Sequence, residues 1–278
     1  MLASAMQRAV LIMFVAMSLI PAGDAAGKIL SSQLGVAPLF VAWSRFVLGA
    51  LLVLPFIPKD TMRLLRDWRI WLRAAILACG ISSIQTALQS AEIATVFAAF
   101  FIGPMFSYVL AAVFLKEPVT LLRSALILLG FLGVLLVVRP GGAEPGVLWA
   151  VTAGLFYGAF LTMSRALSHL GAPLSLSFTQ LLIAGLLLTP MGFSNLPAAT
   201  LPIAGLTLTS ALCSMLGNLL LLYAYRIAPA TKLAPLVYFQ LIAAVALGWI
   251  IFADLPDIYT WAGLALIITA GLASARLR

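Results

Sequence analysis

Charged residues are scarce in this chain, at 9% of 278 residues, and only 8 residues are acidic. A soluble globular domain carries about 25% charged residues. The scarcity excludes an ordinary soluble domain. Together with 64% hydrophobic residues and a mean hydropathy of +1.16, it indicates an integral membrane protein.

Histidine and cysteine are nearly absent, with His169 the only histidine and Cys79 and Cys213 the only cysteines. A single histidine completes neither a zinc site nor a Ser-His-Asp triad. The sequence also contains no HExxH motif, no CxxC motif and no Gly-rich phosphate loop. We therefore expect no metal, no cofactor and no enzymatic activity.

Long apolar runs fill most of the chain, and a helix of about 20 such residues crosses a bilayer. They predict an all-α integral membrane protein with ten transmembrane helices. The first run resembles a secretory signal, but we expect it to be retained because its end belongs to an internal repeat. The predicted spans are residues 8–30, 37–57, 71–90, 93–114, 119–138, 146–167, 173–192, 202–225, 229–252 and 257–275.

An internal repeat relates the two halves of the chain. Residues 91–134 align with residues 228–271, so that Glu117 falls on Asp254 after which one residue is inserted. Five spans in each half would make the second half enter the membrane from the opposite side, which is an inverted-topology repeat. We predict two inverted five-helix repeats around a central cavity. The predicted boundaries are residues 1–138 for the first repeat, 139–145 for a hinge and 146–278 for the second repeat.

Lys and Arg fall almost entirely at the span ends of one side, and only Lys28, Arg45 and Arg139 do not. This set of basic residues includes Arg73. By the positive-inside rule, that side and both termini lie in the cytoplasm. The net charge of +8 then reflects orientation in a bacterial inner membrane, and no nucleic-acid partner is expected.

Three segments carry a family resemblance: Leu115 to Thr120 (LKEPVT), the pair Arg45-Phe46, and residues 234–256 with the sequence APLVYFQ near their start. They resemble the EamA-type drug/metabolite transporters, and within that superfamily the resemblance favours the YddG-like amino-acid exporters. It implies a ten-span inner-membrane carrier with a cavity shared between the halves. Small four-span relatives have an acidic residue in the middle of the first span, whereas this first span has only Asp24.

Polar residues within the spans are candidates for the cavity wall, since ionisable and polar groups avoid lipid. The same residue types also hold membrane helices together by hydrogen bonds, and this alternative stays open. The candidates are Gln85 and Gln89 in the third span, Ser214 and Asn218 in the eighth, and Tyr238 and Gln240 in the ninth.

Aromatic residues form a second set of candidates, because ring faces suit an apolar or aromatic substrate and attract an ammonium group. Packing between helices or contact with lipid is the alternative for each ring. The candidates are Phe97 and Phe101 in the fourth span and Tyr157 and Phe160 in the sixth.

Three charged residues have candidate roles. Asp24 lies four residues before Lys28, the spacing of a helix ion pair, and it is equally a candidate for a substrate or proton role. Arg45 and Lys28 are candidates for binding a substrate carboxylate, and a structural role for Arg45 is the alternative.

The sequence therefore predicts a secondary carrier that exports small metabolites, above all neutral or aromatic amino acids, by alternating access. The alternative is a multidrug or lipophilic-cation exporter, which would need acidic residues in the middle of the membrane. We expect a small-molecule substrate, a lipid bilayer around the protein, and a monomer as a sufficient unit.

Overall fold

The computed structural model describes residues 2–116, 120–138, 145–227 and 234–276, and the hinge predicted at 139–145 lies almost entirely outside them. These residues form α-helices joined by short turns. The helices are α1 (Leu2–Lys28), α2 (Pro38–Val53), α3 (Trp68–Ser90), α4 (Ile93–Phe100), α5 (Ile102–Phe114), α6 (Leu121–Val138), α7 (Pro145–Ala166), α8 (Pro173–Ser194), α9 (Leu201–Ile227), α10 (Phe239–Phe252) and α11 (Ile258–Arg276).

Seven helical segments within the described residues are long and apolar enough to cross a membrane: Met6–Gln33, Pro38–Phe56, Trp68–Ser90, Ile93–Phe114, Pro145–Ala166, Pro173–Ser194 and Leu201–Leu221. The predicted fifth, ninth and tenth spans correspond to shorter apolar helices, Ser124–Val138, Leu236–Phe252 and Ile258–Ala273. The predicted all-helical membrane fold is confirmed, but the count of ten spans is not, since length and composition support seven.

The first helices of the two halves run in opposite directions. At the end of α1, Lys28 Nζ donates a hydrogen bond of 2.6 Å to the carbonyl oxygen of Ala91, just after α3. Gly146 at the start of α7 lies against Ser90 and Ala91. The end of α1 and the start of α7 therefore share one face of the molecule, as an inverted repeat requires.

Helix packing follows the same symmetry. Helix α1 packs against α9, and its counterpart α7 packs in the same way against α3. Helix α2 packs against its own counterpart α8, and α6 packs against α11. A pseudo-two-fold axis that exchanges the halves accounts for all of these contacts.

The α6–α11 crossing depends on two glycines that face each other. A Cβ at Gly133 would lie 2.7 Å from the carbonyl oxygen of Gly263, and a Cβ at Gly263 would lie 2.6 Å from that of Gly133. Small residues let membrane helices approach closely and gain packing contacts.

The fourth predicted span is broken into α4 and α5 at Phe101. Pro104 has no amide hydrogen to donate to the carbonyl of Phe100, so the regular hydrogen-bond ladder is interrupted there. In the second half, a 3₁₀ turn, Ala234–Tyr238, precedes α10. Both irregular segments contribute to the wall of the central cavity, where non-helical backbone is tolerated in a membrane protein.

Candidate functional site

A cavity of about 870 Å³ lies between the two halves, and each of the helices α1 to α11 contributes to its wall. Small-molecule sites usually occupy 300 to 1,000 Å³. The size suits a metabolite, and the position at the junction of the repeats is the one where transporters bind substrate.

Within the described residues, the wall of the cavity extends further toward one end of the molecule than toward the other. We call the end where Lys28 and Asp254 meet the Lys28 face, and the end where α3 begins and α7 ends the Arg73 face. The wall includes Arg73 and Arg165 at the Arg73 face, but neither Lys28 nor Asp254.

A buried ion pair joins Asp24 and Arg45 beside the cavity, with side chains that are 5% and 8% exposed. Arg45 Nη1 donates to Asp24 Oδ1 and Arg45 Nη2 donates to Ser214 Oγ. Gln85 Nε2 donates to the same carboxylate oxygen at 3.1 Å. The predicted pair between Asp24 and Lys28 is therefore wrong: the carboxylate points across to α2 and α3 instead of along its own helix.

The close approach of α9 to α1 positions Ser214 in this network. Ser210 Oγ donates a 2.7 Å hydrogen bond to the carbonyl oxygen of Gly23. A Cβ at Gly23 would lie 2.7 Å from Ser214 Oγ, so any larger residue there would displace that hydroxyl from Arg45.

Lys28 has a different set of partners at the Lys28 face. Besides its bond to Ala91, its Nζ lies 3.5 Å from Asp254 Oδ2 and 4.9 Å from the ring centroid of Phe252. Burial and the negative charge of Asp254 raise the pKa of the neighbouring Glu92 carboxyl above its ordinary value. Lys28 thus joins the end of α1 to the residue just before α4 and to the segment after α10.

Aromatic rings form the middle of the cavity wall. Phe100 packs against Tyr157 with ring centroids 4.9 Å apart, and Tyr157 stacks with Phe160 at 6.0 Å. On the other side, Phe101 and Tyr238 are 5.3 Å apart. Ring surfaces spaced in this way offer an apolar, polarisable lining for a flat or apolar part of a substrate.

Arg73 contacts an aromatic ring and three hydrogen-bond acceptors near the Arg73 face. The side chain lies 4.8 Å over the ring of Phe160. Its Nε donates to Ser164 Oγ at 2.7 Å, its Nη1 to the Leu176 carbonyl at 3.1 Å, and its Nη2 to Gln180 Oε1 at 2.7 Å. These contacts join α3 to α7 and α8 of the other half.

Most of the predicted site residues converge on this cavity, while three lie elsewhere. Gln85 is fully buried behind Asp24, Gln89 is exposed one turn further along α3, and Lys28 lies at the Lys28 face. The predicted residues that line the cavity are Asp24, Arg45, Phe97, Phe101, Tyr157, Phe160, Ser214, Asn218, Tyr238 and Gln240. Their role in binding a substrate stays a prediction.

Sequence reasoning missed Arg73, Gln180 and Phe100 as parts of the wall. Its place near a predicted span end groups Arg73 with the basic residues that indicate orientation. The helical spacing of Arg73 could have indicated its place in the wall. It lies on the same face of α3 as Leu77 and Ile84, both of which line the cavity.

Comparison with known proteins agrees with this architecture. The profile of the EamA-like transporter family matches residues 7–139 and again residues 144–274. A riboflavin transporter of Brucella anthropi is 29% identical over 275 residues, covering 94% of this chain and 95% of the relative. An S-adenosylmethionine uptake transporter of Rickettsia bellii is 26% identical, covering 90% of this chain and 88% of the relative. One crystal structure superposes with a TM-score of 0.65 at 19% identity, covering 97% of this chain and 96% of the other, which supports the fold alone.

The cavity between inverted repeats and these matches define a membrane transporter of small molecules, not an enzyme. The chain belongs to the EamA-like transporter family, with one copy of the family's repeat in each half.

Proposed function

We propose that this protein is a secondary carrier that moves a small metabolite with an apolar or aromatic part across the bacterial inner membrane by alternating access. The observation that carries the proposal is the 870 Å³ cavity with walls from both halves. Rocking of the halves about such a cavity exposes it to each side in turn. The predicted substrates are neutral or aromatic amino acids, and the predicted direction is export.

Both aromatic and hydrogen-bonding groups of the cavity support a metabolite of this kind. Tyr157 and Phe160 offer ring faces, while Ser214, Asn218 and Gln240 offer hydroxyl and amide groups within the same wall. Riboflavin and S-adenosylmethionine, the compounds named for two relatives, each contain a flat heteroaromatic ring system. A ring-bearing metabolite is therefore the first substrate class to test, with these two compounds beside the amino acids.

A lipophilic-cation exporter receives less support from the cavity. Asp24 is the only carboxylate among the described residues of the wall, and it is paired with Arg45 and bonded by Gln85. A cationic substrate would have to compete with the covalently tethered guanidinium of Arg45 for that carboxylate.

The proposed orientation places the Arg73 face and both termini in the cytoplasm. Lys59, Arg63, Arg66 and Arg69 lie at the turn before α3 or in its first turn, at that face. Basic residues near span ends favour the cytoplasmic side. In this orientation the cavity of the present structure reaches toward the cytoplasm.

Counterflow in proteoliposomes tests the proposed function. Vesicles loaded with unlabelled threonine, methionine, phenylalanine, riboflavin or S-adenosylmethionine are given the labelled compound outside, with and without a pH gradient. We expect saturable uptake of at least one ring-bearing compound. Absence of counterflow for every compound, compared with protein-free vesicles, would contradict the proposal.

A matched pair of variants tests the contribution of the cavity. Phe160→Leu removes a ring from the wall, whereas Phe114→Leu makes the same change at a side chain that is 72% exposed on the outer surface. We expect Phe160→Leu to lower uptake of ring-bearing compounds several-fold and Phe114→Leu to leave it unchanged. Equal effects of the two variants would argue against the aromatic cavity as the binding site.

A further inference from the structure

Arg73 is a buried cation in the wall of the central cavity. It lies five residues after Trp68, the first residue of α3, about 7 to 8 Å along the helix axis. An arginine so near a span end could extend its guanidinium to the water interface. Instead the residue is only 6% exposed and its guanidinium is held against Phe160 inside the molecule.

The partners of Arg73 among the described residues are all neutral. They are a hydroxyl, a backbone carbonyl and an amide oxygen, from Ser164, Leu176 and Gln180. Within the described residues, no carboxylate lies at salt-bridge distance from its guanidinium. Arginine keeps its charge in proteins and has five N–H donors, of which these contacts use three. Among the described residues, the other two donors and the positive charge have no partner, and we infer that they are available to a ligand in the cavity.

Arg45 provides the internal comparison. Both arginines line the same cavity and are buried to a similar degree, at 8% and 6% exposure. Arg45 is neutralised by Asp24, and so it adds no net charge to the wall. A buried charge without a counter-charge is costly, and ionisable residues kept inside membranes mark substrate or ion pathways.

We propose that Arg73, held in place by Ser164 and Gln180, binds the anionic group of the transported metabolite, a carboxylate or a phosphate. The guanidinium is planar and suits bidentate bonding to either group. Arg165 lines the same end of the cavity. The aromatic rings next to this end then contact the apolar part of the same molecule. This inference rests on the proposed carrier function and specifies the charge of its substrate.

Two pairs of probes that differ in charge at one group test the proposal. Phenylalanine and phenylalaninamide differ by a carboxylate, and riboflavin 5′-phosphate and riboflavin differ by a phosphate. Binding of each compound is measured by calorimetry on purified protein, and transport by counterflow. We expect the wild type to prefer the member that carries the carboxylate or phosphate in at least one pair by about 10- to 100-fold, the size of a charge-assisted hydrogen-bond contribution. The pair that shows the preference identifies the anionic group.

Arg73→Gln should abolish this preference while leaving the affinity for the member without the carboxylate or phosphate unchanged. Arg73→Lys keeps the charge and should retain a weaker preference, which also serves if Arg73→Gln does not fold. Arg63→Gln is the matched control, because it removes the same charge at a side chain that is 82% exposed. If the role of Arg73 were purely structural, Arg73→Gln would lower the affinity for both members of a pair equally.

Two results would overturn the proposal: no anion preference in the wild type for either pair, or a preference that survives in Arg73→Gln. The proposed function fails separately, if no compound undergoes counterflow whatever its charge. A neutral compound that is transported without any anion preference would leave the carrier function standing and remove the role of Arg73.

Discussion

The substitution Asp24→Asn should destabilise the protein strongly, because it leaves the charge of Arg45 buried without a counter-charge. Side chains that are 5% and 8% exposed are nearly desolvated, so their interaction is weakly screened. At an effective dielectric constant of about 20, charges about 4 Å apart attract each other by about 4 kcal/mol. Removal of one partner of a buried pair costs about 3 to 5 kcal/mol. We expect Asp24→Asn to lower the free energy of unfolding by an amount in this range.

The double variant Asp24→Asn with Arg45→Met should recover most of that loss. Replacing both members of a buried pair is often nearly neutral, because the desolvation cost of the charges disappears along with their attraction. The free energy of unfolding is measured by denaturant titration in detergent micelles, followed by circular dichroism. Asp60→Asn is the control, since it breaks the Arg63–Asp60 pair whose side chains are 82% and 80% exposed. Exposed pairs contribute little, so the control should unfold like the wild type.

Additive losses in the free energy of unfolding from the two substitutions would refute this reasoning. If the double variant is as unstable as the two single variants combined, Asp24 and Arg45 do not act as a pair. If Asp24→Asn is as stable as the wild type but shifts the pH dependence of counterflow, the carboxylate has a proton-coupling role in place of a structural one.

Two further predictions concern helix packing and the Lys28 face. Gly263→Ala places a Cβ 2.6 Å from the carbonyl oxygen of Gly133 and should lower the free energy of unfolding by about 1 to 3 kcal/mol, because it crowds the α6–α11 crossing. Gly205→Ala is the control: no atom lies within 4 Å of its Cβ, so it should be neutral or stabilising in the same unfolding titration. Equal stability of the two glycine variants would argue against the close crossing. Asp254→Asn removes the counter-charge 3.5 Å from Lys28 and should speed hydrogen exchange of the amides at the start of α4, measured by mass spectrometry. Exchange as slow as in the wild type would show that this pair does not stabilise the start of α4 at the Lys28 face.

Much of the fold could be predicted from local pattern alone. The apolar runs predict where helices lie, because a helix that crosses lipid must be apolar for about 20 residues. Within the described part of the ninth predicted span, helix α10 (Phe239–Phe252) follows a 3₁₀ turn at Ala234–Tyr238, an irregularity that the length of an apolar run does not predict. Aromatic candidates such as Phe101 and Tyr157 line the cavity as predicted, because they share helix faces with other cavity residues.

The partners of the charged residues could not be predicted in the same way. Asp24 and Lys28 are four residues apart on one helix, and yet each pairs with a residue far along the chain, Arg45 and Asp254. The spacing of charged residues along one helix predicts only the ion pairs that can form within that helix. The actual choice depends on which helices cross at that depth and on how closely their small residues allow them to approach.

By itself the sequence determined the class of protein, the family and the repeated organisation, because hydrophobic length, motif and self-similarity are properties of the chain read in order. Only the tertiary structure decided that Arg73 lies in the cavity wall with no described carboxylate at salt-bridge distance, that Gln85 supports Asp24 from behind, and that Gln89 lies away from the wall. The physical reason is that the cost of a buried charge depends on its surroundings in three dimensions, which are set by packing between helices from opposite halves of the chain.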